Sequence, residues 1–344
     1  MKIAVLVSGG VDSSLSLKLL KEQGHDLVAF YIKVWLEDEL VSSSCPWEED
    51  LKFIKPLCQS LNVPLEVISL QQEYKEKVIS YVIEEAKAGR TPNPDILCNQ
   101  QIKFGLFLEK IGAEFEKVAS GHYAQIREEN GVFKLFRAAD PVKDQTYFLC
   151  KLSQKQLSRV IFPIGHLQKG EVRDLAKKYA LPAMERRDSQ GICFLGNIKF
   201  DEFIAHHLGK NPGDIVELES NKKIGTHDGL WFFTVGQRRR IKLSGGPWYV
   251  VKKEFEKNIL YVSNRYGEIE GERKSFVVAD LHWLSGKPPE SGELLVKVRH
   301  RSVPRECVLS SAHVTLFAKD QGIAPGQYAV FYLNDECLGS GVIQ

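Results

Sequence analysis

Residues 2–13, KIAVLVSGGVDS, carry the pattern that decides the fold of this chain. After its first lysine the segment is apolar up to the serine, which is typical of a parallel strand buried on both faces. A turn with two adjacent glycines follows, and leucines at helical spacing then predict a helix. Further runs predict strands at 27–35 and 65–70, with a helix at 47–61 between them. This alternation predicts a doubly wound α/β sheet.

The α/β pattern continues to about residue 200, where short strands separated by Gly, Asn and Asp replace it. Within the first part, the two prolines of the loop at 89–95 are predicted to exclude a helix. We predict an α/β catalytic domain at 1–200, a β-rich domain at 201–272 and a barrel-like β domain at 273–344. The other predicted helices are 73–88, 98–110 and 170–180, and the other predicted strands are 117–120, 213–219, 231–235, 247–252, 258–263, 274–279, 293–301, 306–317 and 327–333.

The composition is that of an ordinary globular chain, with 344 residues of which 43% are hydrophobic and 26% are charged. No apolar run approaches the roughly 18 residues of a membrane span, and the N-terminus lacks the pattern of a signal peptide. We therefore expect a cytoplasmic protein without membrane attachment. Its 46 basic and 44 acidic residues give a net charge of +2, so any surface for nucleic acid must be local.

The glycine turn has the properties of a phosphate-binding loop. Gly9 and Gly10 let the backbone approach a ligand, and their N–H groups can point at an anion beside the N-terminus of the following helix. Ser8 and Ser13 can donate hydroxyl hydrogen bonds, while Asp12 can hold Mg²⁺ or cap the helix. Neither the Walker A pattern nor G-x-G-x-x-G is present. The segment SGGVDS resembles the pyrophosphate loop of the N-type ATP pyrophosphatases, which adenylate a carbonyl or carboxyl oxygen.

Seven cysteines stand at positions 45, 58, 98, 150, 193, 307 and 337, and no two form C-x-x-C. In a reducing compartment this argues against a disulfide framework and against a conventional zinc or iron–sulfur site. Cys98 lies in the predicted first turn of a helix, where the dipole would lower the pKa of its thiol, and Cys193 lies in DSQGICF, residues 188–194. For each of these two alone, the role of a small buried hydrophobic residue is equally open, and we expect that role for the other five.

Several motifs together resemble the bacterial tRNA-specific 2-thiouridylase (MnmA/TrmU) family. They occur in the order of that family and cover essentially the whole chain: SGGVDS (8–13), NPD (93–95), CN (98–99), GHY (121–123), KDQ (143–145), DS (188–189), GICF (191–194), GQR (236–238), PWYV (247–250) and PGQ (325–327). Two departures occur: Arg239 and Arg240 stand where many relatives have Lys-Gly, and Val34 stands where relatives often have Asn. We expect the first departure to affect local loop geometry and the second to alter a contact near ATP.

The resemblance implies an adenine nucleotide alpha hydrolase-like α/β domain, followed by two small β-rich domains, with ATP and Mg²⁺ as cofactors. The implied reaction is adenylation of O2 of the wobble uridine, followed by its replacement with sulfur to give 2-thiouridine. Cys193 is implied to carry a persulfide, and Cys98 to attack it or to act as acid or base, with a Cys98–Cys193 disulfide as the result. The residues implied to bind ATP are Leu6, Val7, Ser8, Gly9, Gly10, Val11, Asp12, Ser13, Ile32 and Gly121.

The implied partners are tRNA, with the tRNAs for Lys, Glu and Gln as precedent, and a sulfur-relay protein or cysteine desulfurase; we expect a monomer. A base in a tRNA loop can be splayed into a pocket at modest cost, which suits this reaction. The residues implied to bind the base or the tRNA are Asn93, Pro94, Asp95, His122, Lys143, Asp144, Gln145, Arg299, His300 and Gln327. Two basic patches would add phosphate contacts, the first with Arg238, Arg239, Arg240 and Lys242, the second with Lys297, Arg299, His300, Arg301 and Arg305.

Other functions remain open from the sequence. A lysidine synthetase or a GMP synthetase would share the activation chemistry, although the first would not need the two cysteines and the second would need a source of ammonia. Iron–sulfur tRNA thiolases use C-x-x-C pairs, which this chain lacks. A non-catalytic RNA-binding protein with a relic nucleotide loop is a further alternative, and the intact Asp12, Ser13 and cysteines argue against it.

Overall fold

The computed structural model describes residues 1–34, 46–187, 199–265, 274–290, 292–320 and 322–344. Cys193, the rest of segment 188–194, and Cys45 lie outside these residues. The strands are β1 (Lys2–Leu6), β2 (Asp26–Lys33), β3 (Leu65–Ser69), β4 (Lys117–Ala119), β5 (Ala124–Glu129), β6 (Val132–Arg137), β7 (Val160–Ile161), β8 (Gly213–Glu217), β9 (Lys223–His227), β10 (Tyr249–Glu254), β11 (Ile259–Ser263), β12 (Ser275–Trp283), β13 (Glu293–Lys297), β14 (Arg305–Ser310), β15 (His313–Leu316), β16 (Tyr328–Leu333) and β17 (Glu336–Ile343).

The α-helices are α1 (Val11–Glu22), α2 (Pro46–Leu61), α3 (Gln71–Tyr74), α4 (Ser80–Lys87), α5 (Pro94–Leu97), α6 (Phe107–Ile111), α7 (Gln154–Leu157), α8 (Lys169–Lys178) and α9 (Phe200–Leu208). Two π-helical segments connect neighbouring helices: Lys75–Ile79 joins α3 to α4, and Cys98–Leu106 joins α5 to α6. Short 3₁₀ turns occupy Gly112–Glu114, Thr146–Leu149 and Leu230–Phe232. Among the described helices, none is both long enough and apolar enough to cross a membrane.

The first part of the chain forms a parallel sheet in the order β3-β2-β1-β4-β7. Side chains of β1 alternate between two cores, because Ile3 and Val5 pack on one face of the sheet while Ala4 and Leu6 pack on the other. This two-sided burial explains why the strand is an uninterrupted apolar run. The predicted doubly wound α/β sheet is confirmed.

The second half is built from antiparallel pairings. Four strands form a sheet in the order β10-β11-β8-β9, in which only the β11–β8 pair is parallel. Six further strands, in the order β12-β15-β14-β13-β16-β17, close into a barrel through pairing of β12 with β17. The hairpin β5–β6 extends this sheet, since β6 pairs with β17 at Cys337 and Leu135. The α/β part and the barrel are therefore joined by main-chain hydrogen bonds.

Several element predictions need correction. The prediction of a strand at 231–235 is wrong, because a 3₁₀ turn places Trp231 and Phe232 against the core of the α/β part. The predicted strand at 306–317 is a hairpin, turning at Ser311 with φ of 55°. The predicted strand at 293–301 ends at Lys297. Strands β5, β6, β7, β9 and β17 and helices α7 and α9 were not predicted.

Candidate nucleotide and thiol site

The predicted nucleotide residues lie at one edge of the parallel sheet. Strand β1 lies between β2 and β4, so Ile32, the glycine loop and Gly121 share the carboxyl edge, where open α/β sheets bind ligands. A Cβ atom on Gly121 would lie 2.7 Å from the backbone nitrogen of Ser13 and 2.8 Å from the carbonyl carbon of Asp12. The segment after β4 therefore touches the first turn of α1 through its backbone.

The loop keeps its shape through its serines. The Ser13 hydroxyl accepts a hydrogen bond from the Ser8 backbone nitrogen at 3.1 Å and donates to the Gly10 carbonyl at 3.2 Å. Gly9 has a φ of 70°, in the left-handed region that favours glycine. The flanking apolar members of the predicted set, Leu6, Val7 and Val11, have side chains that are buried in the core. Their side chains cannot contact a nucleotide, so only their backbone could do so.

We predict that Gly121→Ala lowers the free energy of unfolding by about 1–3 kcal/mol, because the new methyl group meets backbone atoms of Asp12 and Ser13 that cannot move without shifting α1. Gly170→Ala is the matched control, since a Cβ atom at Gly170 has nothing within 4 Å. Urea unfolding of both variants checks this. Equal midpoints for the two variants would contradict the close approach.

The carboxylate of Asp12 is held by residues that the sequence analysis missed. Lys169, the first residue of α8, places its Nζ 2.7 Å and 2.9 Å from the two carboxylate oxygens. The Tyr123 hydroxyl donates to Oδ1 at 2.7 Å, and the Tyr123 backbone nitrogen in turn donates to the side chain of Gln145. The predicted capping role is wrong, because the N-cap position of α1 is Gly10 and the oxygens of Asp12 accept from Lys169 and Tyr123; a role of Asp12 toward Mg²⁺ stays a prediction.

The oxygen donors at this edge of the sheet decide whether the protein by itself can hold Mg²⁺. Asp12 is the carboxylate of the loop, and both of its oxygens are already bonded to a cation. The described ranges contain no group of three or more His, Cys, Asp or Glu side chains that could hold a metal ion. The protein groups by themselves therefore do not form a Mg²⁺ site.

A second cluster forms around the loop before α5. The two prolines of this loop were expected to exclude a helix, and for Pro94 this is wrong. Pro94 occupies the first position of α5, where a missing N–H is tolerated. Asn93 precedes it, and its Nδ2 donates to Oε1 of Gln327 at 3.4 Å. Gln327 also donates to the carbonyls of Thr91 and Pro92, at 3.2 and 3.3 Å. The structure thus brings together Asn93 and Gln327, which are 234 positions apart in the chain.

Cys98 lies one turn into this helix rather than at its start. The residue is 4% exposed, and burial raises the pKa of its thiol; Asp95 also raises this pKa, while Lys103 lowers it. The predicted lowering of the pKa by the helix dipole is therefore wrong for this conformation, because loss of hydration outweighs the dipole. Cys98 also begins the wide π-helical segment, a feature that is frequent at functional sites.

We predict that alkylation of native Cys98 by iodoacetamide continues to accelerate above pH 8.5, about the pKa of an ordinary thiol. The reason is that a raised pKa moves formation of the reactive thiolate to higher pH. Mass spectrometry of the peptide containing Cys98 follows the reaction, with the urea-unfolded protein as control. A plateau at the same pH in both forms would contradict the raised pKa.

Four of the other cysteines lie in the described part of the chain, and all four are buried. Cys58, Cys150, Cys307 and Cys337 are free and buried, which confirms the expected hydrophobic role. Burial raises the pKa of Cys58 to about 11 and that of Cys150 to about 12. The position of Cys193 relative to Cys98 lies outside the described residues, so the pairing stays a prediction.

The predicted tRNA residues His122 and His300 are both in aromatic surroundings. His122 accepts or donates at Nδ1 with the Ser120 hydroxyl at 2.8 Å, and its ring lies 5.9 Å from that of Phe104. Burial lowers its pKa well below the usual range, so the ring is neutral. The ring of His300 lies 4.3 Å from that of Phe148, and burial lowers its pKa to about 4. Both histidines are half-buried.

The Lys143-Asp144-Gln145 motif does not face solvent as a unit. The Asp144 side chain is 0% exposed and pairs with Nζ of Lys297 at 3.1 Å. Its other oxygen accepts from the Thr146 hydroxyl at 2.8 Å. Direct tRNA contact by Asp144, and the placement of Lys297 in a basic patch, are therefore wrong for this structure, because the two charges neutralise each other in the interior.

The exposed basic side chains of the two patches differ in the carboxylates that lie near them. Arg299 is exposed and lies 3.9 Å from Asp320, which Arg305 also approaches at 3.7 Å. The first patch of Arg238, Arg239, Arg240 and Lys242 is exposed around the partly buried Trp248. Arg240 has a φ of 71° and bonds Asp201 at 2.6 Å. It stands where many relatives have glycine, and it adopts the left-handed conformation that glycine takes without strain.

Comparison with protein families gives matches along the chain. Residues 1–197 match the family model described as tRNA methyl transferase HUP domain. Residues 201–264 match the tRNA methyl transferase PRC-barrel domain, and residues 273–343 match the aminomethyltransferase beta-barrel domain. Among solved structures, the U34-tRNA thiolase NcsA from Methanococcus maripaludis aligns with 56% of this chain and 61% of its own, at 18% identity and a TM-score of 0.36. That alignment is too distant to support an inference.

Curated relatives match over their full length. A protein of Parabacteroides distasonis named tRNA-specific 2-thiouridylase MnmA is 46% identical over 355 residues, covering 100% of this chain and 99% of the relative. A protein of Porphyromonas gingivalis with the same name is 44% identical over 357 residues, with the same coverage. One from Bacteroides thetaiotaomicron, named tRNA-specific 2-thiouridylase MnmA 1, is 44% identical over 354 residues, again covering 100% of this chain and 99% of its own. The chain therefore belongs to the tRNA-specific 2-thiouridylase MnmA family.

Proposed function

We propose that this chain is an ATP-dependent tRNA sulfurtransferase that converts the wobble uridine to 2-thiouridine, and that it acts in the cytoplasm as a monomer. The observation that carries the proposal is the 46% identity, over the whole chain, to a protein named as a 2-thiouridylase. The geometry is consistent with it, because a phosphate-type loop and a buried thiol one turn into a helix belong to the same α/β part of the chain. The division into domains at 1–200, 201–272 and 273–344 is part of the proposal.

The first step activates the uracil oxygen, which is a poor leaving group. O2 attacks the α-phosphate of ATP, the bond between the α- and β-phosphates breaks, and pyrophosphate leaves. The backbone N–H groups around Gly9 and Gly10 and the N-terminus of α1 are suited to bind the phosphates. Ile32 and Gly121 lie at the same sheet edge and are suited to the adenosine. Mg²⁺ would accompany ATP on the phosphates and retained water, as it often does, rather than in a protein cage.

The second step delivers sulfur. Cys193 carries a persulfide received from a relay protein or a cysteine desulfurase. The Cys98 thiolate attacks the inner sulfur, which forms the Cys98–Cys193 disulfide and releases hydrosulfide; hydrosulfide adds to C2 and AMP leaves. An external thiol must reduce the disulfide before the next turnover. Burial raises the pKa of Cys98 in the present conformation, and tRNA or ATP binding at this site would change the surroundings of the thiol.

Recognition of the base rests on Asn93. Its Nδ2 donates to Gln327, and its amide oxygen Oδ1 can act only as an acceptor. Uracil presents an N3–H donor, whereas cytosine presents an acceptor at N3, so an acceptor at this position favours uridine. Pro94 and Asp95 continue the same loop, and Lys143, Gln145, His122, Arg299 and His300 remain our proposed tRNA contacts. Asp144 would support Lys143 and Gln145 from the interior.

The test is mass analysis of the wobble nucleoside from an unmodified tRNA-Glu transcript. The transcript is incubated with the protein, ATP, Mg²⁺ and a persulfide donor, in parallel with Cys193→Ser. Exchange of oxygen for sulfur that Cys193→Ser abolishes is the expected result. AMP release with tRNA but without sulfur in the product would keep the activation step and move the acceptor chemistry elsewhere, for example to lysidine formation. Neither product, from folded protein with a competent donor, would contradict the enzyme assignment.

A further inference from the structure

Arg186 lies against the glycine loop, although it was not among the residues predicted to bind ATP. A Cβ atom on Gly9 would lie 2.6 Å from Nη1 of Arg186. This Nη1 atom is buried and has no hydrogen-bond partner within the described part of the chain. A guanidinium N–H that is buried without an acceptor costs free energy, because its lost hydration is not replaced. A buried donor without a partner, next to a loop suited to anions, indicates that a bound ligand supplies the acceptor.

The opposite side of the guanidinium is fixed. Nη2 of Arg186 bonds Oδ1 of Asp50 at 2.5 Å, and the other carboxylate oxygen of Asp50 accepts from the Tyr31 hydroxyl at 2.9 Å. The guanidinium carbon also lies 4.9 Å from the ring centre of Phe53. The side chain is thus held from β2 and α2, and its orientation at Gly9 is preset. Preset donors require little reorganisation when a charged ligand arrives.

We propose that Arg186 contacts the β- and γ-phosphates of ATP and stabilises the departing pyrophosphate. This rests on the proposed function, because it assumes that the loop binds ATP. Arginine suits the role because its planar fork can bond a carboxylate and a phosphate at the same time. The other cation at the loop, Lys169, has its charge balanced by Asp12 at 2.7 Å. Arg186 supplies a donor that is aimed at the loop itself.

The test compares Arg186→Gln with Arg187→Gln, its neighbour, which is exposed. Calorimetry gives the affinities of each protein for ATP and for AMP, which lacks the β- and γ-phosphates. We expect Arg186→Gln to weaken ATP binding about 10- to 100-fold, the size of a lost charge-assisted hydrogen bond, and to leave AMP binding within about twofold. Arg187→Gln should leave both affinities within about twofold. Asp50→Asn keeps the guanidinium but loosens its anchor, and should weaken ATP binding less than Arg186→Gln.

Equal weakening of ATP and AMP binding by Arg186→Gln would mean that the arginine only shapes the loop, and would overturn the assignment. Unchanged ATP binding would overturn it as well, while leaving the proposed function intact. Wild-type protein that binds no ATP would instead overturn the proposed function, together with this inference. If Arg186→Gln does not fold, as judged by its thermal midpoint, Arg186→Lys and Asp50→Asn take its place. Selective loss for ATP in either of them supports the assignment, and its absence in both overturns it.

Discussion

Replacing Cys98 by serine is expected to reduce formation of 2-thiouridine by at least about 10³-fold, the scale on which loss of a nucleophile reduces turnover. A serine hydroxyl does not ionise near neutral pH and cannot form the disulfide that releases hydrosulfide from the persulfide. The change is nearly isosteric, and Cys98 is packed among buried residues of the main core, so the fold should persist. Sulfur incorporation into tRNA-Glu, measured with a persulfide donor, checks this.

The matched control is Cys58→Ala, which removes another buried thiol from helix α2. Its thiolation rate should stay near that of the wild type, because Cys58 packs in the core on the other face of the sheet. Pyrophosphate formation separates the two steps: Cys98→Ser should still release pyrophosphate when tRNA is present, whereas AMP, which leaves only when hydrosulfide adds to C2, should not accumulate. Wild-type rates of sulfur transfer in Cys98→Ser would remove Cys98 from the chemistry. Loss of thiolation in Cys58→Ala would show that disturbed folding, rather than a lost nucleophile, is enough to abolish activity in this assay.

The largest expected effect on stability comes from Lys297→Met. Lys297 on β13 and Asp144 in the α/β part form an ion pair in which the side chains are 4% and 0% exposed. Removal of the lysine leaves an uncompensated carboxylate in the interior, which costs about 3–5 kcal/mol. Arg137 lies 3.7 Å from the same carboxylate oxygen and can relieve only part of this cost. A lower midpoint of thermal unfolding is the expected observation.

The double variant Asp144→Asn with Lys297→Met shows whether the charge is the cause. Without either charge no buried ion remains, and exchange of a buried pair for neutral groups is often tolerated. The double variant should therefore recover most of the stability that Lys297→Met alone loses. An equally unstable double variant would mean that packing at Lys297, rather than its charge, holds the barrel on the α/β part. A Lys297→Met protein as stable as the wild type would show that the pair contributes nothing.

The sequence predictions succeeded mainly for elements whose stabilising contacts are between residues close in sequence. The first strand, the glycine turn and helix α1 are encoded by neighbouring residues, and all three were predicted. The hairpin β5–β6 is an exception, because its strands pair with each other around Asn130 and Gly131, a local turn signal that was overlooked, and only the pairing of β6 with β17, about 200 positions later, is long-range. The false strand at 231–235 shows the limit of inferring strands from alternation, since Trp231 and Phe232 lie partly buried in a 3₁₀ turn that contacts α4 and α9.

The α/β fold, the phosphate-type loop and the two candidate thiols could be predicted from residue type and short spacing alone. The groups that act on the loop and on Cys98 became visible only in the folded chain. Lys169 meets Asp12 across 157 positions, Arg186 reaches Gly9 from the far end of the domain, and Gln327 holds the amide of Asn93. The pKa of Cys98 was likewise decided by burial. Charge pairing and hydration depend on every group within a few ångströms. In the folded chain these groups come from segments that are far apart in sequence, and the local pattern of one segment does not show which others it will contact.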